Sequence, residues 1–92
     1  MSTWQITAFL LAHSSGVQSL NHIEEFSGTA EEAQERLLQQ TKTYTNDVSK
    51  EVRRRVFAYQ HKTAYRVEVE GKWSTEEYLL ELSELVFDSQ LQ

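Results

Sequence analysis

The residues best suited to binding chemistry lie in one basic and aromatic segment, VRRRVFAYQHKTAYRVEVEG, at positions 52–71. Aromatic rings stack on nucleobases and guanidinium groups bind phosphates, so this combination suits single-stranded nucleic acid. The alternative is a structural or protein-facing sheet surface, on which arginines pair with glutamates of a neighbouring strand. The candidate partner-binding residues of this segment are Arg53, Arg55, Phe57, Tyr59, His61 and Arg66.

Four acidic side chains towards the end of the chain form a second candidate surface. They are Glu77, Glu81, Glu84 and Asp88, spaced by four, three and four residues. On a helix this spacing places them on one face, as an acidic stripe that no lysine or arginine offsets. Such a stripe is either a solvated helix face or a docking surface for a basic partner. The partner can be the arginines of a second copy, so a homodimer is one of the assemblies that the sequence suggests.

Few residues are suited to catalysis or to metal binding. The chain has no cysteine, and its three histidines, at positions 13, 22 and 61, lack the spacing of metal-binding motifs. Its paired carboxylates lie on predicted helix surfaces, where nothing raises a pKa. We therefore expect no enzymatic activity, no metal and no cofactor. A small enzyme that uses His13 or His61 is the third hypothesis.

The charges are distributed unevenly along the chain. Residues 42–72 carry eight basic and four acidic side chains, whereas residues 73–92 carry five acidic side chains and no basic one. The formal net charge of the whole chain is -5. A net negative charge slows the encounter with a polyanion, so a protein partner is favoured over nucleic acid.

The basic segment is predicted to form a β-hairpin. Val52–Gln60 and Tyr65–Glu70 both alternate apolar and polar residues, and a short loop joins them. A register that keeps the alternation on both strands places Arg55 opposite Glu70. One face of this hairpin is then apolar, and the other carries aromatic rings between arginines.

Two helices are predicted from capping boxes, in which a Ser or Thr hydroxyl bonds the amide of a Glu three residues later. Thr29 precedes Glu32 at this spacing, and Ser74 precedes Glu77. Apolar residues follow both sites at helical intervals, so we expect helices over residues 30–45 and 75–88.

The N-terminal region is predicted to contribute two strands. Trp4–Ala12 is apolar enough for a central strand, and its apolar run is too short to span a bilayer. A signal peptide would require basic residues before this run, and the sequence has none there. Val17–Phe26 has apolar residues at every third position and is predicted as a bulged strand.

These elements predict one α+β domain over residues 1–92, in the order β-β-α-β-β-α. We expect a four-stranded, mostly antiparallel sheet with both helices packed on one face. The similar order of the two halves suggests two ββα repeats. The favoured function is a small, cytoplasmic, non-enzymatic protein-interaction module without membrane contact. Binding of single-stranded nucleic acid or another anion through the hairpin is the alternative.

Overall fold

The computed structural model describes residues 1–12, 20–45, 48 and 50–90 of the chain. The described residues form one helix and one five-stranded antiparallel sheet, with the strand order β2-β1-β5-β4-β3. The elements are β1 (Ser2–Ala12), β2 (Leu20–Gly28), α1 (Ala30–Thr43), β3 (Glu51–Ala58), β4 (Ala64–Gly71) and β5 (Thr75–Glu84).

The helix predicted after Thr29 is confirmed. The Thr29 hydroxyl accepts from the Glu32 amide at 3.1 Å, and the Glu32 carboxylate accepts from the Thr29 amide at 3.0 Å. These reciprocal bonds satisfy two amides that a helix start leaves without partners, and α1 begins there. It ends at Thr43, two residues earlier than expected. Among the described residues, no helix combines the length and the apolar character that crossing a membrane requires.

The bulge predicted in the second strand is confirmed. Ile6 pairs with Glu24 and the next residue, Thr7, pairs with His22, so Ile23 is the extra residue in β2. One inserted residue bends a strand and increases its twist. The described strand begins at Leu20, and residues 17–19 of the predicted strand lie outside the described residues.

The helix predicted over residues 75–88 is wrong, because residues 75–84 form β5 and residues 85–88 are neither helix nor strand. The Gly71 amide donates to the Ser74 carbonyl at 2.7 Å, so Ser74 belongs to a hairpin turn and does not cap a helix. In β5, Tyr78 and Leu80 are buried on one face while Glu77 points to the other. This alternation has a period of two, and pairing with β1 on one side and β4 on the other overrides the helical spacing.

The predicted fold class is therefore corrected. The described chain is mostly β, with five strands and one helix, whereas four strands and two helices were expected. The two-repeat hypothesis is also wrong, because only the first pair of strands is followed by a helix. The second half is a three-stranded meander, and its last strand lies between β4 and β1.

The hydrophobic core lies between α1 and one face of the sheet. Ala33 and Leu37 of α1 are fully buried, as the apolar spacing of this helix predicts. The core residues of the described chain are Ile6, Ala8, Leu10, Leu37, Tyr65, Val67, Val69, Tyr78 and Leu80. The Glu76 side chain is also fully buried, and its carboxyl group accepts a hydrogen bond from the Tyr78 hydroxyl.

Candidate functional site

The β3–β4 hairpin is present, but its register differs from the predicted one by two residues. Arg55 lies opposite Glu68, and Glu70 lies opposite Arg53. The hairpin closes earlier than expected because the Tyr59 amide donates to the Ala64 carbonyl at 3.1 Å. A shift of two residues leaves every side chain on its predicted face, so the arginines and aromatic rings still share one face of the hairpin.

The sheet face opposite α1 carries most of the predicted binding residues, and we call it the open face. No described helix or strand packs on it, since α1 covers the other face. Its membership follows from the strand alternation and the pairing register. It includes Gln5, Thr7, Phe9, Glu25, Arg53, Arg55, Phe57, Arg66, Glu68, Glu70, Glu77, Leu79, Glu81 and Ser83.

An ion-pair network joins three strands on the open face. Glu68 on β4 accepts from Arg55 on β3 at 2.6 Å and from Arg66 at 2.8 Å. Arg66 also bonds Glu77 on β5. The hydrogen bond from Arg55 holds the pKa of Glu68 below the ordinary glutamate value, and the charge of Arg66 adds to this effect. The bond to Glu77 raises the pKa of Arg66. Two of the three predicted binding arginines are thus neutralised within the chain.

Phe57 packs against the same two arginines. The guanidinium carbon of Arg66 lies 4.6 Å from the centre of the Phe57 ring, and that of Arg55 lies 5.3 Å from it. Guanidinium groups at these distances are attracted to the ring face. The ring is still 39% exposed. Phe57 therefore presents a ring to solvent with its two neighbouring cations already engaged.

The predicted acidic stripe does not form one line, because its residues lie on a strand and beyond it. Glu77 and Glu81 share the open face. Glu84 lies opposite Trp4 and alternates to the other face. Asp88 follows β5, and its carboxylate accepts from the Gln90 amide at 2.9 Å.

A groove of about 320 Å³ opens at the end of the open face where β1 and β5 meet the C-terminal segment. Its polar lining includes Gln5, Glu25 and Ser83, and Phe87 is among its apolar lining residues. Within the described part of the chain, the Glu25 side chain takes part in no hydrogen bond or ion pair, and the same holds for the side chain of Glu81 on β5. We call Glu25 and Glu81 the acidic corner of the open face.

The remaining predicted residues lie at the hairpin turn. Tyr59 is 50% exposed, and His61 is exposed beside it. His13 lies outside the described residues. No cluster of three or more metal-ligating side chains is present among the residues that the structure describes.

Several exposed residues escaped the sequence analysis. Trp73, in the turn between β4 and β5, is 75% exposed and lies against Lys72. Val86 and Phe87, beyond β5, are 90% and 73% exposed. The sequence did not indicate that Val86 and Phe87 are exposed, because both fall in the helix predicted over residues 75–88, which would bury Val86. No local sequence pattern predicts the groove, because it forms only where β1 and β5, which are distant in sequence, lie side by side.

No family model matches the chain, and the searches of curated proteins and of solved structures give no significant match. The geometry of the open face is therefore the main guide to function.

Proposed function

We propose that this chain is a non-enzymatic protein-binding module and that the open face is its contact surface. The observation that carries the proposal is the composition of that face, which combines partly exposed apolar side chains with arginines already paired to glutamates. A protein surface can cover the part of this face around Phe57, where Arg55 and Arg66 are paired, without burying an unpaired charge.

The apolar side chains of the open face form a row across the sheet. Phe9 on β1 is directly opposite Leu79 on β5, Leu79 is opposite Arg66 on β4, and Arg66 is opposite Phe57 on β3. Phe9 and Leu79 are partly buried, and Phe57 is more exposed. Protein interfaces are enriched in aromatic and arginine side chains and have an apolar centre with a polar rim. The row supplies such a centre, and the ion-pair network borders it.

Nucleic acid is the less supported alternative. Phosphate binding beside the exposed Phe57 ring needs arginines that are available there, and both Arg55 and Arg66 would have to leave Glu68 to provide it. Glu68 and Glu77 would also repel a polyanion brought to Phe57. Catalysis by His61 is less supported still, because this side chain is exposed at a turn. The absence of cysteine favours a reducing compartment, and we propose the cytoplasm.

Site-specific photo-crosslinking in the native cells tests the proposal. The photoreactive residue p-benzoylphenylalanine replaces Phe57 on the open face in one variant. In a matched control it replaces Gln34, which is exposed on α1. After irradiation, adducts are separated by denaturing electrophoresis and identified by mass spectrometry, and thermal melts verify that both variants fold.

The expected result is a discrete protein adduct from position 57 that is absent from position 34. A second copy of the chain and a different protein would both support protein binding. An adduct that nuclease digestion removes would replace the proposal with the nucleic-acid alternative. Equal adduct patterns from the two positions, or none from position 57, would overturn it.

A further inference from the structure

Two of the charges that remain unpaired on the open face, those of Arg53 and Glu25, lie at opposite corners. Arg53, on the edge strand β3, is level with Thr75 at the start of β5, because both pair with Glu70. Glu25, on the other edge strand β2, is level with Ser83 near the end of β5, because both pair with Gln5. The basic and acidic corners are thus diagonally opposed on one surface.

Arg53 is available for an external partner. Although Glu70 lies opposite it in the register, no ion pair joins the two side chains, and the Arg53 side chain makes no hydrogen bond among the described residues. Its neighbours differ in this respect, since Arg54 bonds Glu51 and Arg55 bonds Glu68. Arg53 is therefore the one arginine of the basic segment, within the described chain, whose charge has no acceptor.

We infer that the open face binds a second copy of this chain, with Arg53 of each copy seated in the groove beside Glu25 of the other. This inference rests on the proposed function and names its partner. A face that carries both an unpaired cation and an unpaired carboxylate at opposite corners is complementary to itself. A two-fold axis makes both contacts at once, because in an isologous interface each copy supplies the same patch.

The groove has the chemistry that a guanidinium group needs. Glu25 provides a carboxylate, and the amide of Gln5 and the hydroxyl of Ser83 provide neutral acceptors beside it. Hydrogen bonds between a guanidinium and a carboxylate are among the stronger polar contacts in proteins. The groove, at about 320 Å³, is also larger than one arginine side chain, so its size does not exclude Arg53.

The pairing register fixes how the two sheets meet. The axis lies in the interface plane and runs perpendicular to the line from Arg53 to Glu25, so the strands of the two copies cross steeply. Sheets pack at near right angles in one of their two common arrangements. Leu79, in the middle of β5, lies close to the axis and contacts its own counterpart. Glu81 of each copy then faces the side of the other copy that carries Arg66.

The area of the open face suits a small stable interface. Five strands about 4.8 Å apart, with about eight residues at 3.3 Å each, span roughly 600 Å² per copy. Two copies would bury about 1,200 Å², which is the lower limit of standard protein interfaces. The dimer is thus expected to dissociate on dilution.

Sedimentation equilibrium of the purified chain tests the inference. Arg53→Glu and Glu25→Arg each place like charges at both contacts of the dimer, so each should raise the dissociation constant at least about tenfold. Mixing the two variants in equal amounts should restore dimers, because one variant is then acidic at both corners and the other is basic at both. Glu35→Arg, on the exposed side of α1, reverses a charge away from the face and should leave association unchanged.

Each outcome has a distinct meaning. Recovery of dimers only in the mixture supports the corner-to-corner arrangement. A wild-type chain that stays monomeric up to about 1 mM overturns the inference, while a different protein crosslinked at position 57 would still support protein binding. A wild-type dimer that neither variant weakens overturns the assigned contact. Circular dichroism of every variant separates lost association from lost folding.

Discussion

The Arg54 guanidinium on β3 donates to the carbonyl oxygen of Tyr44, 2.7 Å away, immediately after α1. The same nitrogen contacts the carbonyl of Thr41 at 3.1 Å, and the other side of the group bonds Glu51. Only 10% of the Arg54 side chain is exposed. Helix ends leave carbonyl groups without partners, and a cation there also interacts favourably with the helix dipole. A side chain of an edge strand thus caps the C-terminal end of α1.

Arg54→Ala should lower the free energy of unfolding by about 1–3 kcal/mol, because two partly buried carbonyl groups lose their donor. Arg53→Ala is the matched control and should change it by less than about 0.5 kcal/mol, as most exposed substitutions do. Urea denaturation of the two variants measures the difference. Equal effects would contradict the capping role of Arg54.

Leu80→Ala should be far more destabilising than Leu85→Ala. Leu80 is fully buried on β5, so its truncation should cost about 2–5 kcal/mol. Leu85 lies beyond the strand and is 44% exposed, so the same change should cost much less. Thermal melts of both variants distinguish the strand from the helix expected here, which would bury Leu85. A larger loss of stability for Leu85→Ala than for Leu80→Ala would favour the helix over the strand.

The two apparent capping boxes should respond differently to alanine. Thr29→Ala removes the acceptor for the Glu32 amide and should cost about 0.5–2 kcal/mol. Ser74→Ala should be within about 0.5 kcal/mol of wild type, because the Ser74 backbone carbonyl, rather than a capping hydroxyl, closes the turn. Chemical denaturation measures both, and a large loss for Ser74→Ala would show a role for its hydroxyl.

The stability of the fold should decrease in acid partly through Glu68. Its pKa in the folded protein lies below the ordinary value of 4.5, chiefly because of the hydrogen bond from Arg55. Folding therefore favours the ionised form, and the resulting stability is present above pH 4.5 and is lost as the pH falls through the folded pKa. Urea midpoints between about pH 6 and 3 should fall less steeply in Glu68→Gln than in wild type. Arg55→Gln should flatten the same pH range, and unchanged slopes in both variants would contradict the pairing.

The elements with local signals could be predicted from the sequence. Thr29 and Glu32 supply a complete capping box, and the hairpin alternation around Arg55 keeps its faces even when the register moves. The structure of the segment after Ser74 could not be predicted from its sequence, because Tyr78, Leu82 and Leu85 also fit the spacing of a helix. Contact with β1 and β4 selects the strand, and such non-local contact has no signature in a short window.

The candidate site was predictable only in part, for the same reason. Arg53, Phe57 and Arg66 were placed on one hairpin face, and the structure retains them there. Glu25 lies outside the predicted site, because it joins that face only through the pairing of β2 with β1 and of β1 with β5. A surface assembled from both ends of the chain cannot be read from one segment.

The central pair of strands, β1 and β5, has a consequence for the kinetics of folding. It joins Ile6 to Leu82, whereas β1–β2 and β3–β4–β5 are each formed by neighbours in sequence. Bringing distant segments together costs chain entropy before any contact compensates for it. The two local units should therefore form first and join last through β1 and β5. Refolding on the order of milliseconds to seconds is expected, as for other sheets held by distant strands.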